Sequence, residues 1–184
     1  MTIDIHLAVL HLFPNAVPHI DFRVQDDGDG PYLSVWNIPQ PEPTIAELMV
    51  AFKEAWKVKA WEAIKAERDR RKAGGLKVGT LWFHSDADSR IQHLGLKDKA
   101  RDLLAAGGAM ADNLTILGQP VRWKSMDGSF VNVTVQLAFD IVAAAGDLDA
   151  RLFAVAETHR AAMEAAADPA TYDFSAGWPE TFGG

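Results

Sequence analysis

Four side chains in one short stretch, His84, Asp86, Asp88 and His93, are of types that bind metals: imidazole nitrogens and carboxylate oxygens, with His93 near one helical turn on. Their spacing matches no H-E-x-x-H or comparable signature. Each also has a plainer role: Asp86 as a helix cap, Asp88 in the first turn favouring the dipole, and the histidines at a strand end and on the surface. No metal ligand is assigned. The run Asp26-Asp27-Gly28-Asp29-Gly30 has the composition of a calcium loop, yet lacks the ligand register and the terminal bidentate Glu of the twelve-residue loop. A hairpin turn is the expectation there. Gly74-Gly75 and Gly107-Gly108 match neither G-x-G-x-x-G nor the P-loop, and no G-x-S-x-G elbow exists. His159 falls on an apolar seam, where a hydrogen-bonded interface histidine is expected in preference to a general base. No catalytic, cofactor-binding or metal residue emerges, and the chain is read as a non-enzyme.

Composition narrows the classes further. The chain has 184 residues, 18 Lys+Arg against 25 Asp+Glu for a formal net charge of −7, and no Cys. Disulfides, thiol catalysis and Cys-based metal sites are excluded. The negative balance argues against binding to a nucleic-acid backbone. No apolar run reaches the ~18–20 residues of a membrane span, and Met1 is not followed by a charged n-region and an apolar h-region. Neither membrane insertion nor a secretory signal is expected.

The elements that must position these residues are legible from periodicity. Thr2-Ile3-Asp4-Ile5-His6-Leu7 alternates like a strand, as does Ile20-Asp21-Phe22-Arg23-Val24, which the acidic Gly turn connects to Tyr32-Leu33-Ser34-Val35-Trp36. Pro39, Pro41 and Pro43 form a stiff extended spacer. Thr44-Ile45-Ala46-Glu47 fits a capping box, opening a helix to about Ala73, where Gly74-Gly75 stops it. One stripe of this helix carries Ile45, Met49, Phe52, Trp56, Ala60 and Ile64, and another carries Leu48, Val58 and Trp61, implying two neighbours. The basic end, residues 65–72, reads as favourable charge at a helix C-terminus.

Gly79-Thr80 suits a type II′ hairpin, Asp86 or Ser85 caps a helix through about Leu104, and residues 113–119 read as loop. Asp127-Gly128 marks a second hairpin between residues 121–126 and 129–133. A last long helix, capped by Thr134, runs from Val135 to about Ala167. Its heptad-like seam comprises Ala138, Ile141, Ala145, Leu148, Leu152, Val155, His159 and Ala162. Four aromatics after Pro169, namely Tyr172, Phe174, Trp178 and Phe182, read as a docked strap.

The expected fold is α+β: an N-terminal β-hairpin module, two long helices, and a small antiparallel β-hairpin platform between them. The expected organisation is a β module with Pro-rich linker over 1–43, a helix/β-hairpin/helix domain over 44–168, and an aromatic strap over 169–184. Candidate partner and self-association residues are Phe22, Tyr32 and Trp36 in the module, Trp56 and Trp61 on the first long helix, and Ile141, Leu148, Leu152 and Val155 on the seam of the second.

The string Ile64-Lys65-Ala66-Glu67-Arg68-Asp69-Arg70-Arg71-Lys72-Ala73-Gly74-Gly75, then Val78-Gly79-Thr80-Leu81-Trp82-Phe83-His84-Ser85-Asp86 with Ser89-Arg90-Ile91-Gln92, carries a resemblance. With Trp123-Lys124-Ser125-Met126-Asp127-Gly128-Ser129-Phe130-Val131 and His159-Arg160, it is similar to an uncharacterised domain family of tailed-phage and prophage tail-region proteins, over roughly residues 61–174. Upstream, Arg23-Val24-Gln25-Asp26-Asp27-Gly28-Asp29-Gly30-Pro31, Trp36 and Pro41-Glu42-Pro43-Thr44 resemble an XkdW-like segment of such proteins. The resemblance implies a baseplate or tail-fibre role in the virion tail after synthesis in the host cytoplasm. Implied partners are tail, baseplate or tail-fibre proteins, while self-association with further copies of the chain is expected from the two-striped helix and the heptad-like seam. A tail-fibre assembly chaperone is the alternative. The resemblance brings no catalytic residue.

Overall fold

A computed structural model describes residues 3–183. Met1, Thr2 and Gly184, which the expected module and strap include, lie outside the described residues. The fold is α+β: the described residues form four α-helices, a short 3-10 helix at Pro169–Thr171 and four separate two-stranded antiparallel hairpins. The chain divides into two compact units, one of Met1–Ile64 with His159–Phe174, the other of Lys65–Thr158 with Ser175–Gly184. This division falls inside both long helices, whereas the sequence placed its boundaries beside them.

In the first unit, α1 (Ile5–Leu12) stands where a strand was expected. The Asp4 carboxylate accepts from the Leu7 amide at 3.0 Å, capping the helix, and Ile5, Ala8 and Val9 are buried at helical spacing. Apolar residues at 3, 5 and 7 fit a strand as well as a short helix, and the cap decides between them. Strands β1 (Phe22–Asp26) and β2 (Pro31–Trp36) pair as expected, with Ser34 bulged between Val35, opposite Arg23, and Leu33, opposite Val24. Ile20 precedes β1 and is exposed, off the face on which it was placed.

The capping box opens α2 (Ile45–Lys72): the Glu47 carboxylate accepts from the Thr44 amide at 2.7 Å, and the Glu47 amide donates to the Thr44 hydroxyl at 3.3 Å. Leu48, Ala51 and Phe52 of α2 share one core with Ile5, Ala8, Val9 and Phe22, and Trp36 and Ile38 lie against it. The Trp36 indole also donates to the Gln40 carbonyl at 2.8 Å. The proline segment therefore crosses a continuous core and does not hold a hairpin away from the helix. The spacer expectation is corrected accordingly.

In the second unit, β3 (Leu76–Val78) and β4 (Leu81–Phe83) turn through Gly79 at φ 60° and Thr80. Next come α3 (Ala87–Ala105), β5 (Thr115–Ile116), β6 (Gln119–Pro120), β7 (Arg122–Lys124) and β8 (Phe130–Asn132). The expected loop over 113–119 thus contains a tight hairpin, turning on Leu117 and Gly118, both at positive φ. Single backbone bonds join the hairpins: Leu114 donates to Val133, Val121 to Leu114, Val133 to Val121, and Met126 to Trp82.

Helix α4 (Val135–Ala165) follows Thr134, whose hydroxyl accepts from the Leu137 amide. Its Ile141, Leu148 and Leu152 pack with Leu76 and Phe83, and its Val135 and Ala138 pack with Leu96, Ala100, Leu114 and Val133. The chain's own hairpins and α3 thus cover the seam from Ala138 to Leu152. As α2 advances from Arg68 to Lys72, the α4 carboxylate facing it changes from Glu157 to Asp149, so here the helices run antiparallel.

Candidate functional site

The His/carboxylate stretch is spread among separate duties. Asp86 caps α3, accepting from the Ser89 amide at 3.0 Å and the Ser89 hydroxyl at 2.7 Å, and these bonds hold its carboxyl below the usual range. Asp88 lies in the first turn of α3. His93 is buried: its Nε2 lies 3.1 Å from the His84 carbonyl and its ring 4.4 Å from that of Trp123. The carbonyl can only accept, so Nε2 carries the proton, and the buried Nδ1 faces no hydrogen-bond partner. Burial pushes the imidazole below its ordinary pKa. No group of three or more His, Asp or Glu side chains poised for a metal occurs among the described residues.

Beside this stretch lies a polar hub that motif reading missed. The Ser85 hydroxyl accepts from the Gly75 amide at 2.8 Å and donates to the Lys72 carbonyl at 2.7 Å, closing the end of α2 onto the following turn. The Arg90 guanidinium donates to the Ser85 and Lys72 carbonyls and grips Asp149 of α4 through two parallel bonds. One arginine thereby ties together α2, α3 and α4. An acidic residue directly after a buried seam position, Leu148, was the one available signal in the sequence.

The other polar clusters are turns. The Asp26 carboxylate accepts from the Gly28 and Gly30 amides, and Asp27 accepts from the Tyr32 hydroxyl and the Gln25 amide side chain. These bonds lower the Asp27 pKa and raise that of Tyr32. Asp127 accepts from the Ser125 hydroxyl at 2.6 Å and the Ser129 amide at 2.9 Å, which lowers its pKa to about 2. Such carboxylates shape loops and leave few lone pairs for a ligand. The basic end of α2 is likewise paired: Glu67 receives Arg70 and Arg71, Asp69 receives Arg68, and Asp149 receives Lys72.

The candidate docking residues separate by burial. Phe22, Ile141, Leu148 and Leu152 are core residues of this chain, so no partner reaches them in the folded state. A charge placed at Leu152 would therefore act on the folding of the second unit. Trp36, Trp56 and Trp61 are half-buried: Trp36 packs edge-on to Phe13, Trp56 edge-on to Phe52, and Trp61 lies under the Arg160 guanidinium at 4.9 Å. Val155 is half-buried and Tyr32 is exposed. His159 shares a 2.9 Å hydrogen bond with the Tyr172 hydroxyl.

The apolar side chains that face solvent are others. In the first unit they include Ile20, Val35, Ile45, Met49, Val50 and Val58; in the second, Ile116, Leu117, Phe130 and Phe153. Periodicity missed this set because it marks what is apolar and does not show which apolar residues find a neighbour. No helix of the described residues is long and apolar enough to cross a membrane.

Comparison with known proteins covers both parts of the chain. Residues 5–69 match the family described as XkdW protein. Over 58 residues the chain is 40% identical to the Phage-like element PBSX protein XkdW of Bacillus subtilis (strain 168), covering 32% of this chain and 45% of that protein. Over 57 residues it is 44% identical to the Uncharacterized protein YqcD of the same organism, covering 30% of this chain and 51% of that protein. The chain thus spans about half the length of the curated relatives it matches. The solution NMR structure of the PBSX protein XkdW is 40% identical over 29% of this chain and 88% of that one, at a TM-score of 0.26. Residues 55–176, two thirds of the sequence, match a second family, and the chain belongs to it: the Domain of unknown function (DUF4376) family, here preceded by an XkdW-like segment.

Proposed function

We infer that this chain is a phage-associated, non-enzymatic structural protein of the tail, acting in the baseplate or in tail-fibre attachment. The observation that carries the reading is the fusion itself. A segment related to a phage-element protein runs, through α2, into a second domain family in the same chain. The geometry is consistent with a connector. Its carboxylates and histidines cap helices and close turns, while large apolar side chains stand exposed on hairpins and on α2. In this reading the exposed sets on the two units meet tail proteins, copies of the chain associate with one another, and neither nucleic acid nor a lipid bilayer is a partner.

Quantitative mass spectrometry of purified particles tests this. Detection of the chain at a fixed stoichiometry to the tail proteins is the expected result. Its absence from particles, with recovery from infected-cell lysate bound to fibre protein, would replace the connector by a fibre-assembly chaperone.

A further inference from the structure

The C-terminal strap of the second unit is held in a seat that the rest of that unit builds without it. The seat is the Gly74-Gly75 turn between α2 and β3. Gly75 N is bonded to the Ser85 hydroxyl, and Ser85 is bonded to Lys72 and Arg90, so the turn is locked by residues other than the strap. Gly74 cannot carry a side chain with the strap in place, since a Cβ there would stand 2.8 Å from the Thr181 methyl; at Gly75 a Cβ would stand 2.5 Å from Sδ of Met126, a residue of the seat and not of the strap. The strap enters by backbone recognition. The Phe182 amide donates to the Gly74 carbonyl at 3.0 Å, and the Pro179 carbonyl accepts from Arg71. Around these bonds Trp178 lies against the Arg71 guanidinium, Phe182 packs edge-on to Trp82, and Glu180 faces Lys77.

Two further observations make this a separable peptide in a rigid receptor. The strap underfills its seat, since a cleft of about 160 Å³ remains between it and β3, lined by Lys77, Arg151, Pro179 and Glu180 among others. It is also joined to the preceding chain by exposed residues 175–177, with Gly177 at φ 82°, a conformation in which glycine rotates at little cost. Thr181 is its one buried side chain, and Phe182 is 40% exposed. Trp178 also packs against the core of Leu76, Phe83 and Leu148, so a departing strap needs an equivalent seat to go to.

We propose that this strap is exchangeable and that its second acceptor is another copy of this chain. Residues 178–182 of one copy take the Gly74-Gly75 seat of the next. The occupant follows from the chemistry on the page: the seat already recognises this sequence, and a second copy offers the identical peptide. Exchange of an identical element creates no new contact and is governed by the local concentration of copies against the effective concentration of the tethered strap. Dilute protein stays closed, and copies held close together interlink. The proposal stands whether or not the chain belongs to a particle.

The lack of native cysteine allows a direct test. Lys77→Cys and Glu180→Cys, both at exposed positions, are made singly on differently tagged chains, mixed, and treated with a short bismaleimide. The expected product is a mixed cross-linked dimer, several-fold above a control pairing of K77C with L94C, rising with concentration. Gly74→Val, which fills the seat, should reduce it to the control level while circular dichroism shows a folded protein. The double variant K77C/E180C should close within one chain when dilute. If it closes within the chain while the mixed singles never exceed control at any concentration, the strap does not exchange. If it fails to close at all, the strap is not seated as described, and the proposal falls as well.

Discussion

Arg90 and Asp149, 59 residues apart in sequence, form a two-pronged ion pair in which Nη1 and Nη2 each lie 3.0 Å from a different carboxylate oxygen. Both are partly buried, with side chains 18% and 35% accessible. A fork-to-fork pair of this kind fixes orientation as well as distance, because the planar guanidinium and the carboxylate must be coplanar to make both bonds. Arg90 spends two of its three remaining donors on the Ser85 and Lys72 carbonyls, so the pair also anchors the turn that holds the strap.

Removing Asp149 as Asn leaves the guanidinium short of an ionic partner in a partly dry site. The expected cost is about 1–3 kcal/mol, below that of a fully buried pair because water still reaches the carboxylate. Arg90→Lys should cost a similar amount, since an ammonium cannot reproduce the fork. Urea midpoints at constant slope measure both, and a Lys variant as stable as the parent would show that only charge matters here.

His93 predicts an acid-side loss of stability. Its folded pKa lies below the ordinary 6.5 because burial disfavours the charged ring, the His84 and Arg90 charges adding to this and the His84 carbonyl and Asp86 opposing it. The unfolded chain therefore binds the proton more tightly, so the contribution is complete above pH 6.5 and is lost as pH falls below it. The slope is at most about 1.4 kcal/mol per pH unit. Glu67, lowered to about 2 from 4.5 by Arg70 and Arg71, releases its own contribution only below 4.5, under the range in which His93 begins to act. His93→Gln should flatten the dependence in that range, and parallel curves for the two proteins would contradict the assignment.

Phe22 tests whether the N-terminal elements are integral. Phe22→Ala empties the centre of the core shared by α1, β1 and α2, at an expected cost of about 3–5 kcal/mol for that unit. Deleting residues 1–39 should uncover Leu48 and Phe52 and produce a species that binds a hydrophobic dye. A truncated chain as compact and dye-silent as the parent would restore the view of the prolines as a spacer.

What was legible in the sequence depended on whether a local signal had one reading. Thr44 and Glu47 admit only a capping box, and Gly79 and Asp127-Gly128 only a turn, so α2 and two hairpins follow from them. Ile3, Ile5 and Leu7 fit two periods, and α1 was missed because Asp4 as a cap outweighs alternation. Leu117 and Gly118 gave no turn signal, since leucine seldom takes positive φ. The seam of α4 announced a buried face truthfully but could not name what buries it. Leu76, Phe83 and Leu114 come from short strands whose mutual placement rests on single hydrogen bonds.

Leu117 yields the last prediction. It occupies the first turn position of the β5–β6 hairpin at φ 52° and is 98% exposed, so its side chain contributes no burial while its backbone sits where a Cβ is disfavoured. The two-residue turn asks for Asn or Gly at that position. Leu117→Asn should therefore stabilise the second unit by roughly 1 kcal/mol, read as a higher urea midpoint. A side chain kept at such a site against its local cost is a candidate contact for a partner. In the proposed tail role, the same variant should enter particles less well than the parent despite its greater stability. A midpoint that stays put or falls would refute the strain. A higher midpoint with normal incorporation would place docking elsewhere, with Phe130, exposed on β8 beneath the Arg122 guanidinium, as the next residue to change.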